Sequence, residues 1–175
     1  MKAPADVLEI FLQPGGFYFG DERTRIRTLL GSCVAITMWH PARHVGGMCH
    51  YLLPSRQDPA RKSGLDGRYA DDAMQMFLAE MRATRTHPCD YQVKLFGGAR
   101  MFRELGTKKG WQGISERNVD HGKAMMGLHG IHVAAQDLGG AAHRILMLDL
   151  WSGDVWLKRA RTSGIPAAGP ATGRK

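Results

Sequence analysis

The stretch Thr28-Leu29-Leu30-Gly31-Ser32-Cys33-Val34-Ala35-Ile36, with Gly46-Gly47-Met48-Cys49-His50-Tyr51-Leu52-Leu53-Pro54 after it, decides how this chain is read. One apolar run extends from Ile26 to Met38 and is broken by Gly31-Ser32. A second extends from Val45 to Leu53 and stops at Pro54. Short runs of this kind, punctuated by Gly and Pro, predict strands. The connector His40-Pro41-Ala42-Arg43-His44 is of hairpin length, so the two strands should pair antiparallel. A cysteine at a small-residue turn and a histidine on the next strand could deliver a thiol nucleophile and its base.

Working outward, Leu8 to Leu12 reads as a strand stopped by Pro14-Gly15-Gly16, and Phe17-Tyr18-Phe19 as a second short or edge strand. Ser55 to Arg68 is polar and reads as a loop. Tyr69 to Ala83 is the clearest helix. Ala70, Ala73, Met74, Phe77, Leu78 and Met81 form one apolar stripe, and Asp71 and Asp72 sit in the first turn, where the helix dipole favours acids. Val93 to Phe96 is a strand ending in Gly97-Gly98. Ser115 to Leu128 is a second helix, with Gly130 near its stop. Ile131 to Ala135 is a strand leading to Gly139-Gly140. Ile145–Trp151 and Val155–Arg159 form a hairpin around Ser152-Gly153-Asp154.

A chain of 175 residues suits one domain, expected over 1–160, with a disordered basic tail over 161–175. No apolar run approaches bilayer-spanning length, and the first residues lack the apolar core of a signal peptide. Membrane insertion is therefore not expected, and the cytoplasm is the expected compartment. Three cysteines without an export signal read as free thiols. The net charge of +8 is uneven: Arg23, Arg25 and Arg27 alternate before the cysteine segment, and Lys158, Arg159, Arg161, Arg174 and Lys175 cluster at the end. These cations are not interleaved with aromatics and no reader motif is visible, so nucleic acid is not the expected partner. A basic surface suits an acidic protein partner, or is simply a solvated face.

Geometry thins the candidates among three cysteines and eight histidines. Cys49 and His50 are adjacent on a strand and point to opposite faces. Cys89 follows His87-Pro88 in a polar connector. Cys33 follows Gly31-Ser32, where a turn can present a thiol together with amide N–H groups able to hold an oxyanion. Cys33 with His50 is the pair the residue chemistry favours. A cysteine in an apolar run is more often a small core residue, and that reading stands beside it. For metals, His40 and His44 have helical spacing, but Pro41 argues against a helix, and neither CxxC nor HExxH occurs. No metal and no cofactor are expected. Gly97-Gly98 and Gly139-Gly140 read as tight turns that let backbones approach, and the methionines as core filling.

The segments Thr28–Ala35, Gly47–Pro54 and Tyr69–Met74, followed by Lys94-Leu-Phe-Gly-Gly-Ala-Arg-Met-Phe102 and Ile114-Ser-Glu-Arg-Asn-Val119, resemble the chemoreceptor glutamine deamidase family CheD in order, over Leu8 to Lys158. The resemblance implies an α/β layered sandwich of two mixed β-sheets flanked by helices, shared with toxins of the cytotoxic necrotizing factor type. It implies an active site of Cys33, His50 and Thr28, to which the residue chemistry adds the Gly31-Ser32 turn as the oxyanion site. A one-residue shift would put Arg27 at the third position instead. The implied activity is hydrolysis of glutamine side chains on methyl-accepting chemotaxis receptors, by a monomer. The alternative is a binding module for a CheC-type phosphatase. This chain departs from the family pattern at Ser115, where Gly is usual, and at Ala141-Ala142-His143-Arg144.

Overall fold

The computed structural model describes residues 2–57, 64–100 and 113–160. The proposed tail over 161–175, residues 58–63 of the polar loop, and Met101 and Phe102 lie outside the described residues. The strands are β1 (Leu8–Phe11), β2 (Phe17–Gly20), β3 (Thr24–Leu30), β4 (Val34–His40), β5 (Val45–Tyr51), β6 (Gln92–Gly97), β7 (Val133–Leu138), β8 (His143–Asp149) and β9 (Asp154–Ala160). The helices are α1 (Ala70–Ala83) and α2 (Ile114–Leu128).

The strands form two mixed sheets. One has the order β1-β3-β8-β9, with β1 parallel to β3; the other has the order β2-β5-β4-β6-β7, with β6 parallel to β7. The expected β4–β5 hairpin is present, with Ala35 opposite His50. The Gly31-Ser32-Cys33 break does more than interrupt a strand: β3 belongs to the four-stranded sheet and β4 to the five-stranded one. The chain changes layers at this turn.

Strand periodicity shows how the layers pack. On β3, Thr24, Ile26, Thr28 and Leu30 are buried and alternate with more exposed residues, so one face looks inward. β4 is buried along nearly its whole length, which is why its run is continuously apolar. Ala35 joins Leu12, Ile26, Leu30, Met48, Phe96, Leu146 and Leu148 in a core between the two sheets. Its neighbour Ile36 faces the other way, into a core with Cys49, Tyr51, Met74, Phe77, Leu95 and Met126. Both helices therefore cover the five-stranded sheet, giving the order sheet, sheet, helices.

The outer face of the four-stranded sheet exposes Phe11, Leu29 and Trp156. It also carries the arginine strip. Arg25 pairs with Asp149 at 2.6 Å and with Glu9 at 3.7 Å, and Arg27 pairs with Glu9 at 3.5 Å. These side chains stand on the side of β3 opposite Thr28.

Candidate active site

Thr28, His50 and Cys33 converge from three elements and two sheets. Thr28 points from β3 into the space between the sheets, and His50 points into the same space from β5; each is 1% exposed. The Thr28 hydroxyl lies 2.8 Å from His50 Nδ1 and 2.8 Å from the Leu12 carbonyl oxygen. A carbonyl can only accept, so the single hydroxyl proton goes to Leu12. The hydroxyl must then accept from His50, which fixes the proton on Nδ1. The lone pair is left on Nε2, a buried atom with no hydrogen-bond partner among the described residues.

The histidine backbone is equally fixed. The His50 N–H donates to the Gly16 carbonyl at 2.9 Å, and the His50 carbonyl accepts from the Gly15 N–H at 2.7 Å. The Pro14-Gly15-Gly16 turn thus anchors the base as well as ending the first strand.

Cys33 stands one residue ahead of β4 and packs against the inter-sheet core that holds Ala35 and Met48. Ala35 is directly opposite His50, so Cys33 is a diagonal neighbour of the imidazole on the same face. Cys33 is only half-buried, whereas Thr28 and His50 are enclosed, so the thiol is where the cluster meets the surface. Cys49 is fully enclosed on the opposite face, where burial pushes its thiol up to about 12. Cys89 is exposed in a short 3₁₀ turn over Pro88–Asp90. Arg27 is on the outer face of β3, whereas the Thr28 hydroxyl is the one of the two that meets the histidine.

The turn itself is held by its carbonyls. The Ala99 N–H donates to Gly31 O at 2.9 Å, the Gly98 N–H to Cys33 O at 2.7 Å, and the Asn118 Nδ2 to Ser32 O at 3.5 Å. Among the described residues, neither the Ser32 nor the Cys33 N–H donates to a backbone acceptor. The three carbonyls of the turn are thus tied, while among the described residues these two amides have no backbone acceptor. Gly97-Gly98 is the close backbone approach expected of it: Gly97 has φ +117°, and a Cβ there would overlap the Cys33 carbonyl.

Burial raises the Cys33 thiol above its usual range and outweighs the Ser32 hydroxyl and the Cys33 N–H, which favour the thiolate. Burial also lowers His50 to about 4. At neutral pH the resting pair is a thiol beside a neutral imidazole.

Of the residues expected at the site, the structure joins Thr28 to His50 and sets Cys33, on its turn with Gly31 and Ser32, diagonal to His50. Sequence reasoning missed the Leu12 carbonyl, which sets the tautomer, and Asn118, which reaches the turn from α2. Leu12 carries no side-chain signal for this role. Asn118 lies within the segment Ile114–Val119, where a buried amide on a helix was the available sign. Of the departures noted in sequence, Ser115 is buried in the first turn of α2 and donates to Glu116 at 3.0 Å, away from the imidazole.

A two-sheet sandwich covered by helices on one side, with a threonine-held imidazole between the sheets and a thiol at the crossover, defines the class of protein. A family model described as CheD chemotactic sensory transduction matches residues 52–159. The chain is 47% identical over 158 residues to a protein named "Probable chemoreceptor glutamine deamidase CheD" from Pseudomonas syringae pv. tomato, covering 90% of this chain and 93% of that one. It is 46% identical to one of the same name from Pseudomonas fluorescens, covering 90% of this chain and 88% of that one. It is also 46% identical to "Probable chemoreceptor glutamine deamidase CheD 3" from Dechloromonas aromatica, covering 89% of each. The chain belongs to the CheD family.

Proposed function

We propose that this protein hydrolyses glutamine side chains of methyl-accepting chemotaxis receptors to glutamate and ammonia, with Cys33 as nucleophile and His50 as base. The observation that carries this reading is the Thr28 hydroxyl between Leu12 O and His50 Nδ1. It leaves a buried, unpartnered Nε2 lone pair on the face that Cys33 shares. The names of the relatives supply the substrate.

The steps follow from the residues. His50 Nε2 takes the Cys33 proton as sulfur adds to the carboxamide carbon. The oxygen gains charge and accepts from the Ser32 and Cys33 N–H groups. The C–N bond breaks, the imidazolium returns the proton to the leaving nitrogen, and ammonia departs. His50 then deprotonates a water, which attacks the thioester. Glutamate leaves and the thiol is restored. Thr28 keeps Nε2 as the basic atom throughout. The chain itself supplies nucleophile, base and oxyanion donors, so the reading needs no cofactor.

Purified receptor fragment treated with the protein should gain about 1 Da per converted glutamine, the mass difference between –NH2 and –OH. Cys33→Ala should abolish the shift by several orders of magnitude, since the covalent route is gone, while Cys89→Ala retains it. An unchanged receptor mass with wild-type protein would reject the enzyme and leave the CheC-type binding module. Equal loss in two folded cysteine variants would reject the assignment of Cys33.

A further inference from the structure

Asn118 sits in the second turn of α2 and is 0% exposed. Its Nδ2 donates to the Leu52 carbonyl at 2.7 Å and reaches the Ser32 carbonyl at 3.5 Å. Leu52 lies two residues after His50, and Ser32 lies immediately before Cys33. One carboxamide thus spans the strand that carries the base and the turn that carries the thiol. The main chain at the same residue is tied to β5 as well: the Tyr51 hydroxyl donates to the Asn118 carbonyl at 2.7 Å. Gly122, one helical turn on, makes room for that hydroxyl, because a Cβ there would overlap it.

The other end of the carboxamide argues against simple space filling. Asn118 Oδ1 is buried with no hydrogen-bond partner among the described residues. Flipping the amide would not help, since it would set the oxygen against two carbonyls. A buried acceptor without a donor is unfavourable, and an apolar side chain of similar size would avoid it. What asparagine offers at this position is an N–H2 with two hydrogens directed at two carbonyls on different segments.

We propose that Asn118 is a positioning residue that locks the Cys33 turn to the His50 strand, and through the Ser32 carbonyl turns the Cys33 N–H, which shares its peptide plane, toward the reacting sulfur and oxygen. The proposal rests on the reading of Cys33 and His50 as the reacting pair. A peptide plane whose carbonyl is held on one side presents its N–H on the other. Release of the Ser32 carbonyl lets the adjoining Cys33 N–H swing away from the sulfur it favours as thiolate.

The test compares wild type with Asn118→Ala and Asn118→Asp. The aspartate keeps the size but replaces the donor with an acceptor. Iodoacetamide labelling is followed by mass spectrometry at Cys33 and, in the same molecules, at exposed Cys89. The Cys33 to Cys89 rate ratio should fall about 10- to 100-fold, the order of loss for a reactive group misplaced by about 1 Å. On receptor fragment, kcat should fall in parallel with KM unchanged. A ratio that stays level or rises overturns the proposal, because a residue that merely stabilises the fold would leave Cys33 as reactive or more exposed. The labelling ratio reads Cys33 whether or not the receptor is the substrate, so its failure is distinct from failure of the proposed activity. If both variants fail to fold, the protein with Cys89→Ala alone decides. Its Asn118 side-chain amide resonances should be protected from exchange and should move when Cys33 is alkylated; resonances that do not move overturn the proposal.

Discussion

A single hydroxyl proton determines what His50 can do. Thr28 has one hydrogen to give and Leu12 takes it, so the imidazole carries its own proton on Nδ1. Thr28→Val removes both contacts with little change in volume. It should cost about 2 kcal/mol in urea unfolding, because the Leu12 carbonyl and the Nδ1–H lose a buried partner. It should lower kcat about 100-fold, because the ring is free to rotate or change tautomer. Thr28→Ser should recover most of both. The resting protonation state is separately measurable. A raised thiol beside an imidazole lowered to about 4 means that the ground state holds no ion pair. Iodoacetamide labelling of Cys33 should then climb about tenfold per pH unit between pH 6 and 8, tracking the thiolate fraction. A plateau across that range would mean a preformed thiolate–imidazolium pair and would reject the general-base step.

Between elements, the crossover at Gly31-Ser32-Cys33 depends on the strand beside it. β6 ends where β4 begins, with Gly97 opposite Val34, and Gly97 and Gly98 fold around the Cys33 carbonyl. Gly97→Ala should therefore be worse than its backbone angle alone implies. Gly139 gives the comparison: it also has positive φ, at +75°, but a Cβ there meets nothing within 4 Å. Gly139→Ala should cost about 1 kcal/mol for its angle alone, whereas Gly97→Ala should cost at least about twice that and also slow Cys33 labelling. Equal losses in urea unfolding would mean that the turn does not lean on β6. Much at this scale was legible in the chain. The α1 stripe, the β4–β5 hairpin with its proline stops, and the opposite facings of Cys49 and His50 are local consequences of periodicity. β7 was less so: it begins at Val133, two residues after the expected start, because pairing with β6 sets its register. The change of layers at Cys33 was not legible at all. Gly-Ser marks a break but carries no sign of which sheet the chain enters next. The contact of Thr28 with Leu12 likewise depends on parallel pairing of β1 with β3, a tertiary fact. Asn118 reaches Ser32 across 86 residues of sequence, beyond any local pattern.

For the molecule as a whole, the central consequence of the fold is a histidine sealed between two sheets, and that makes stability depend on acid. Unfolded, His50 returns to about 6.5; folded, burial holds it at about 4. Above pH 6.5 both states leave the ring neutral and its contribution is complete. Between pH 6.5 and 4 the unfolded chain binds a proton that the native protein refuses, so stability falls as pH falls. Below pH 4 the native ring is protonated too and the loss levels off. The difference amounts to about 3 kcal/mol. Carboxylates act in the same direction at lower pH. Burial tends to raise Asp137, but hydrogen bonds from Arg144 and Arg159 outweigh it and hold it below its usual range. Its contribution is present above about pH 3.8 and is lost as pH falls through the depressed value. The two groups therefore act in sequence on acidification, the imidazole first. Urea unfolding at pH 7, 5.5, 4 and 3 separates them, because His50→Gln removes only the first. The wild type should lose about 3 kcal/mol more than His50→Gln between pH 7 and 4, and the two should run parallel below pH 4. Equal losses over the upper interval would mean that water or a nearby acid reaches the imidazole in the folded protein. The lone pair on Nε2 would then be solvated at rest, and the base would have to shed that partner before taking the Cys33 proton.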